Sequence, residues 1–211
     1  MTDLKTEPRF ETITPKILYF GTPVAVVSSI NEDGSANLAP ISSFWALGWT
    51  VVLGLLNDTK TLGNLMANPD CVVNIPSPDL WSQVERLAPL TGLHPVPEEK
   101  AAKFRHEKDK FAAAGLTPMA SECVAAPRVQ ECPAHMEAKV KKVHRLHGDP
   151  RLDQLTGGAA VEVEVVRVHV RKDFVVNEHY INAEQWQPLI YSFRHYYGLG
   201  KELGKTFRAE V

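Results

Sequence analysis

Short apolar runs alternate along the chain with polar, turn-forming breaks, and most of the runs are too short for helices. Residues 24–30 (Val-Ala-Val-Val-Ser-Ser-Ile) are rich in β-branched side chains and predict a strand. Asn31-Glu32-Asp33-Gly34 follows as a turn, and its Asp-Gly pair predicts a hairpin. The returning strand stops at Pro40 and runs into Ser42-Ser43-Phe44-Trp45. Residues 48–56 are apolar on both faces, as in a strand central to a sheet. Asp58 or Thr59 can then cap a helix whose apolar side is Leu62, Leu65 and Met66. Residues 71–75 (Cys-Val-Val-Asn-Ile) predict a further strand, closed by Pro76.

The pattern then changes. Pro78-Asp79 starts a helix that runs to about Leu87, with the acid near its positive end. Pro97 opens a longer helix predicted to reach Ala114, with Gly115 as its C-cap. Its face of Ala101, Phe104, Lys108 and Phe111 is only partly apolar, which predicts a surface position. Beyond Ser121 the chain turns β again. Segments 132–143 and 159–170 alternate apolar and polar residues, and are expected to pair as an antiparallel hairpin across the loop 148–158. A tail follows, rich in aromatics from Tyr180 to Phe207.

Six or more such strands, not regularly interleaved with helices, predict a mainly β fold closed or nearly closed into a barrel rather than a doubly wound sheet. The expected organisation is a polar N-terminal arm over residues 1–16, with Pro8 and Pro15, and a barrel domain over 17–176. A helical insert lies at about 78–115. An extension over 177–211 is expected to pack on the barrel or on a partner.

Composition narrows the function classes. With 211 residues the chain is long enough for a sizeable core, and 44% apolar and 23% charged residues are ordinary for a globular protein. A net charge of -2 gives no reason to expect nucleic acid or an anionic membrane as partner. No apolar run approaches the roughly 20 residues of a membrane span, and the polar N-terminus does not read as a secretory signal. Three cysteines without framework spacing, Cys71, Cys123 and Cys132, make a reducing cytoplasm the simplest setting.

Two segments have phosphate-binding chemistry. Residues 37–44 put adjacent hydroxyls and unpaired N–H groups where a strand breaks, although taken alone the stretch reads slightly better as a plain hairpin corner. Thr59-Lys60-Thr61, with Asn64, puts two hydroxyls and an ammonium at a helix start, where free N–H groups and the dipole favour an anion, although taken alone it reads better as an ordinary capped surface helix. If the strands pair, the two segments can close on one phosphate. There is no Walker sequence, no G-x-G-x-x-G and no G-x-S-x-G. Cys123, Cys132, His135, His144 and His147 match no metal-ligand spacing, so no metal is expected. Glu162 and Glu164 read as the outer face of a strand, and Lys139, Lys141 and Lys142 as a solvated face. Residues 193–200 (Phe-Arg-His-Tyr-Tyr-Gly-Leu-Gly) read either as a packing segment or as a surface that stacks on a planar ligand.

Taken together, residues 24–30, Asp33-Gly34, Asn37 and Pro40-Ile41-Ser42-Ser43-Phe44 resemble the opening of the flavin reductase-like FMN-binding split-barrel proteins. Residues 58–65 and the strand to Asn74 resemble the next block of that family. Glu131-Cys132-Pro133 and the two long strands resemble its second half. The resemblance covers roughly residues 17–172. It implies a Greek-key split barrel, a homodimer and noncovalent FMN. By position, Asn37, Ala39, Pro40, Ile41, Ser42 and Ser43 would line the ring and ribityl side, while Thr59, Lys60, Thr61 and Asn64 would hold the phosphate.

Hydride chemistry then belongs to the flavin, and no catalytic side chain is required. The implied activity is hydride uptake from NAD(P)H and electron delivery to free flavin or another small acceptor. The chain departs from the family at His147-Gly148-Asp149-Pro150, where many members have Gly-Asp-His. An FMN-binding electron-transfer protein with no nicotinamide reaction therefore stays open. So does a dimeric barrel whose aromatic tail docks a partner.

Overall fold

The computed structural model describes residues 9–148 and 157–207. Residues 1–8 of the expected arm, the loop tip with Asp149 and Pro150, and residues 208–211 lie outside them. The elements used below are strands β1 (Phe20–Pro23), β2 (Ala25–Ile30), β3 (Ala36–Ile41), β4 (Phe44–Leu47), β5 (Thr50–Leu56) and β6 (Asp70–Ile75), then β7 (Ala134–Leu146), β8 (Gly158–Val170), β9 (Ile190–Ser192) and β10 (His195–Tyr197). The helices are α1 (Lys60–Ala67), α2 (Trp81–Leu87), α3 (Glu98–Ala101) and α4 (Lys110–Ala114).

Seven antiparallel strands form one sheet in the order β3-β2-β6-β7-β8-β5-β4. Its two edges, β3 and β4, are consecutive in the chain and joined only by Ser42 and Ser43. Three peptide steps separate Ile41 from Phe44, a reach of at most about 11 Å. Seven strands laid flat would put the edges roughly 29 Å apart. The sheet is therefore rolled into a barrel whose seam is the Ser42-Ser43 corner. The corner is fixed on β5, where Gly54 N donates to Ser43 O at 2.6 Å and Ser43 Oγ donates to Gly54 O at 2.8 Å. A Cβ on Gly54 would lie 2.9 Å from that of Ser43, so only glycine allows this approach.

The predicted hairpins form. Strand β2 pairs with β3 from Ile30 opposite Ala36 to Ala25 opposite Ile41. The long β7 and β8 pair along their lengths, as the alternation predicts. On β8, Val161, Val163 and Val165 point inward and are buried. Glu162 and Glu164 face outward beside His144 and Lys141.

There are two cores. One fills the barrel, with Val27, Leu53, Val73 and Val161 among its members and Leu62 and Leu65 of α1 at one end. The other lies outside the barrel, where the insert's Leu80, Val84, Leu87 and Phe111 cover Val24, Val26 and Leu38. Strand β2 is thus buried on both faces, which explains the apolar run Ala25-Val26-Val27 at its start; Ser28 and Ser29, which follow, are buried as well. Leu189 of the tail belongs to the second core, and β9 pairs with β1.

Two expectations about helices are corrected. The single helix over 97–114 is two short ones. After α3 the chain leaves the helix so that Arg105 and His106 bridge Leu90 and Thr91. Asp109 then caps α4, its side chain accepting from Ala112 N at 3.0 Å, and Gly115 at φ 70° ends it. Nor is α4 a surface helix, because Phe111 is buried. On α1, Met66 is exposed rather than apolar-side: the buried stripe is Thr61, Leu62, Asn64 and Leu65, and Met66 falls a further 100° round the helix.

A buried acid ties the chain's return from the insert to the barrel wall. The fully buried Glu137 of β7 accepts hydrogen bonds from Glu122 N at 2.9 Å and Cys123 N at 2.6 Å, and His169 Nε2 lies 2.7 Å away. Burial acts to raise its carboxyl pKa. The two backbone N–H groups and the His169 ring outweigh that and hold it below the ordinary glutamate value.

Two outcomes are expected. Gly54→Val should cost about 1–3 kcal/mol in urea unfolding by overpacking the seam. Glu137 has a depressed folded pKa, so its stabilisation is present above the ordinary glutamate range and is lost as pH falls through the folded value. Glu137→Gln should therefore unfold more easily than the native chain at neutral pH, with the difference narrowing in acid. A pH series of urea melts measures it.

Candidate flavin site

The barrel seam opens into a cleft of about 1010 Å³. Both phosphate-type segments reach it. Ala39, Pro40, Ile41, Ser42 and Ser43 form one wall, and Thr59, Lys60 and Thr61 form another at the start of α1. Eight of the ten residues singled out from the sequence thus share one cavity. Asn37 and Asn64 are buried behind its wall. Their amides join the two segments: Asn37 Nδ2 donates to Thr61 Oγ1 at 3.1 Å, while Asn64 Nδ2 donates to Ser29 Oγ at 3.1 Å and to Asn31 Oδ1 at 2.9 Å. These bonds fix the helix start against the β2–β3 hairpin.

The hydroxyls divide into two kinds. Thr59 Oγ1 caps α1, accepting from Leu62 N at 3.3 Å and donating to Leu56 O at 2.9 Å. Ser43 Oγ donates its proton to the seam. Both are committed to the fold. Thr61 Oγ1 accepts from Asn37, which leaves its proton free to donate. Ser42 Oγ has no hydrogen-bond partner among the described residues. The donors left for a ligand are therefore Ser42, Thr61 and the backbone N–H groups of Lys60 and Thr61, with the Lys60 ammonium shared with Glu32 Oε2 at 3.2 Å.

Gly92 of the insert closes the floor. A Cβ there would lie 2.8 Å from Asn37 Oδ1 and 2.9 Å from Lys60 Cγ, so glycine lets the insert meet the α1 start. Asn37 Oδ1 is buried and has no partner among the described residues.

Insert and tail complete the lining of the cleft. Lys100, Lys103 and Lys110 of the insert line it, as do Tyr191, Arg194 and Tyr196 of the tail. Lys100 donates to the carbonyl oxygen of Asp58. Lys110 is buried and donates to Leu38 O at 2.8 Å, and its burial pulls the ammonium pKa down to about 8. Arg194 stands at the tip of the β9–β10 hairpin. Phe193 and Arg194 both have positive φ, 45° and 69°. A mirror-image turn of this kind suits Asn-Gly, and two ordinary side chains there cost of order 1–3 kcal/mol each. The Phe193 ring packs edge-on against Phe20, with centroids 4.7 Å apart, which holds the turn.

Elsewhere, among the described residues, no group of three or more His, Cys, Asp or Glu side chains is placed to hold a metal ion. Burial, with Asp70 beside it, pushes the Cys71 thiol up to about 12, and Cys132 shifts in the same direction, so neither is a ready nucleophile. No helix among the described residues is long and apolar enough to cross a membrane.

Residues 17–200 match the model of the flavin reductase like domain. The chain belongs to that family. Flavin reductase-like proteins are oxidoreductases, and the cleft at the seam is where this chain's phosphate-type chemistry gathers. A relative from Bacillus subtilis, the uncharacterised protein YdfE, is 43% identical over 205 residues, 96% of each chain. Flavoredoxin of Desulfovibrio vulgaris superposes with a TM-score of 0.75 at 21% identity, covering 95% of this chain and 99% of that one. Nitrilotriacetate monooxygenase component B from Bacillus cereus does so with 0.73 at 20% identity, covering 94% and 100%. At these identities the two structures establish a shared split-barrel fold.

Proposed function

We propose that this flavin reductase-like protein is an FMN-dependent oxidoreductase that takes a hydride from NAD(P)H and passes electrons to free flavin or another small acceptor. The observation that carries the reading is the convergence of the Ser42-Ser43 corner and the α1 start on one cleft. A phosphomonoester fits the start of α1. Free N–H groups, the positive dipole end, Thr61 Oγ1 and Lys60 supply donors and charge, and Gly92 leaves room. The ring and ribityl chain fit along residues 39–43, where the wall offers backbone groups and the free Ser42 hydroxyl. Asn37 and Asn64 act from behind by holding the two walls in register.

When bound, FMN supplies the hydride and electron chemistry itself. The protein's part is to position the phosphate, orient the ring and shield one side of it with insert and tail. Pro150, in place of the His of the Gly-Asp-His pattern, favours a second reading, an electron-transfer flavoprotein with no nicotinamide reaction of its own.

A homodimer accompanies the proposal. Trp45, Leu47 and Trp49 are 57%, 75% and 62% exposed on the edge strand and its turn, more apolar surface than a lone chain keeps without a use. Trp49, Val168 and Ile181 also border a second depression, of about 1080 Å³, suited to a second copy.

The freshly purified protein should be yellow, or should take up FMN stoichiometrically in a titration; a colourless protein that binds none overturns the flavin assignment. Anaerobic NADH or NADPH should bleach the flavin band within turnover times, and a stable band with both would leave the electron-transfer reading instead. Light scattering should give twice the 23.4 kDa chain mass, falling to one for Leu47→Glu.

A further inference from the structure

The cleft holds more positive charge than one phosphomonoester requires. Among the described residues, six basic side chains line it against two acidic ones, Asp58 and Glu99, in a chain whose net charge is -2. Only Lys60 belongs to the α1 segment assigned to the FMN phosphate. Lys100 and Lys103 come from the insert and Arg194 from the tail hairpin, so they are brought to the cleft by segments outside the seven-stranded sheet.

Their pairing sets them apart from other cations of this protein. Lys108, Lys139 and Lys141 are neutralised by Asp33, Asp70 and Glu164 at 2.8, 3.3 and 2.6 Å. Lys103 and Arg194 have no carboxylate at ion-pair distance among the described residues, and Lys100 meets only a backbone carbonyl. Arg194 is also displayed on a strained turn, and strain of this kind persists where a side chain is held for use.

We propose that Lys100, Lys103 and Arg194 form a second anion subsite, which holds a phosphate of a dinucleotide that docks against the bound FMN. The inference rests on the FMN reading and extends it to the exchangeable ligand. The shared chemistry is a nucleotide with two or more phosphates. Its source is either a nicotinamide dinucleotide or a flavin adenine dinucleotide. Guanidinium and ammonium groups at a cleft rim suit both a pyrophosphate and a ribose 2′-phosphate.

Equilibrium dialysis of the FMN-loaded protein with NADP⁺, NAD⁺ and FAD tests this without turnover. Lys103→Glu and Arg194→Glu alter exposed side chains. Lys108→Glu is the control: it makes the same charge change in the same insert, outside the cleft. Each cleft variant should weaken binding of at least one dinucleotide tenfold or more, with FMN affinity and the control within about twofold of the native protein. A loss confined to NADP⁺ assigns the subsite to the 2′-phosphate. Equal losses for NADP⁺ and NAD⁺ assign it to the nicotinamide pyrophosphate, and a loss confined to FAD to a flavin acceptor.

The native affinity should also fall with added salt. Unchanged binding of all three ligands overturns the proposal, as does an equal loss in the control. An equal loss of FMN itself also overturns it, because the cations would then serve the flavin's own phosphate. Should a charge reversal disturb folding, Lys103→Gln and Arg194→Gln carry the same comparison with a smaller loss. A native protein that binds no FMN refutes the flavin assignment, a result distinct from any of these.

Discussion

The structure depends on a sheet whose two edge strands are sequence neighbours. A two-residue link cannot cross the width of seven strands, so the sheet has to roll until its edges meet. Rolling puts a sharp corner at Ser42 and Ser43, and the corner leaves backbone groups outside the ladder. Gly54 makes the corner possible by carrying no Cβ against Ser43. The same closure creates the interior that Leu62 and Leu65 plug, which fixes α1 at the mouth with its first turn toward the seam. Cleft, helix start and corner are therefore consequences of one closure.

Function is layered onto that frame by chain segments that take no part in the seven-stranded sheet. The insert and the tail meet over β2 and β3, bury a core of their own, and carry their cations to the cleft from outside. Polar side chains that look alike in sequence have separate duties as a result. Thr59 and Ser43 spend their hydroxyls on the helix cap and the seam, while Thr61 and Ser42 keep protons to donate. Asn37 and Asn64 work as cross-braces between strand and helix.

Local signals in the sequence recorded local structure well. The Asp33-Gly34 turn, the alternation of residues 159–170, the Thr59 cap and the Gly115 stop all have a cause within a few residues, and each could be read directly. The break of the 97–114 helix could not be read, because its cause is a bridge from Arg105 and His106 to Leu90 and Thr91, fifteen residues back. Met66 sits one position beyond the buried stripe, a difference that periodicity in an eight-residue helix does not resolve. For the cleft, hydroxyls and a lysine clustered at a helix start were visible. Lys100 and Lys103 were not, since each lies in an unremarkable polar stretch and reaches the site only through tertiary packing, while Arg194 was visible as part of the aromatic segment 193–200, whose alternative reading was a packing segment. Glu137 reads as one more outward acid on an alternating strand. Only the folded chain shows three donors enclosing it.

Strand β2 is shared between the two cores, with Ala25 and Val27 on the barrel side and Val24 and Val26 beside them under the insert. The insert is therefore not a detachable ornament. Shortening it would strip cover from Val24 and Val26 on the strand's outer side. Loss of the insert would leave that face of the barrel wall uncovered. The segment that brings Lys100 and Lys103 to the cleft is held in place by the same burial that covers the barrel wall.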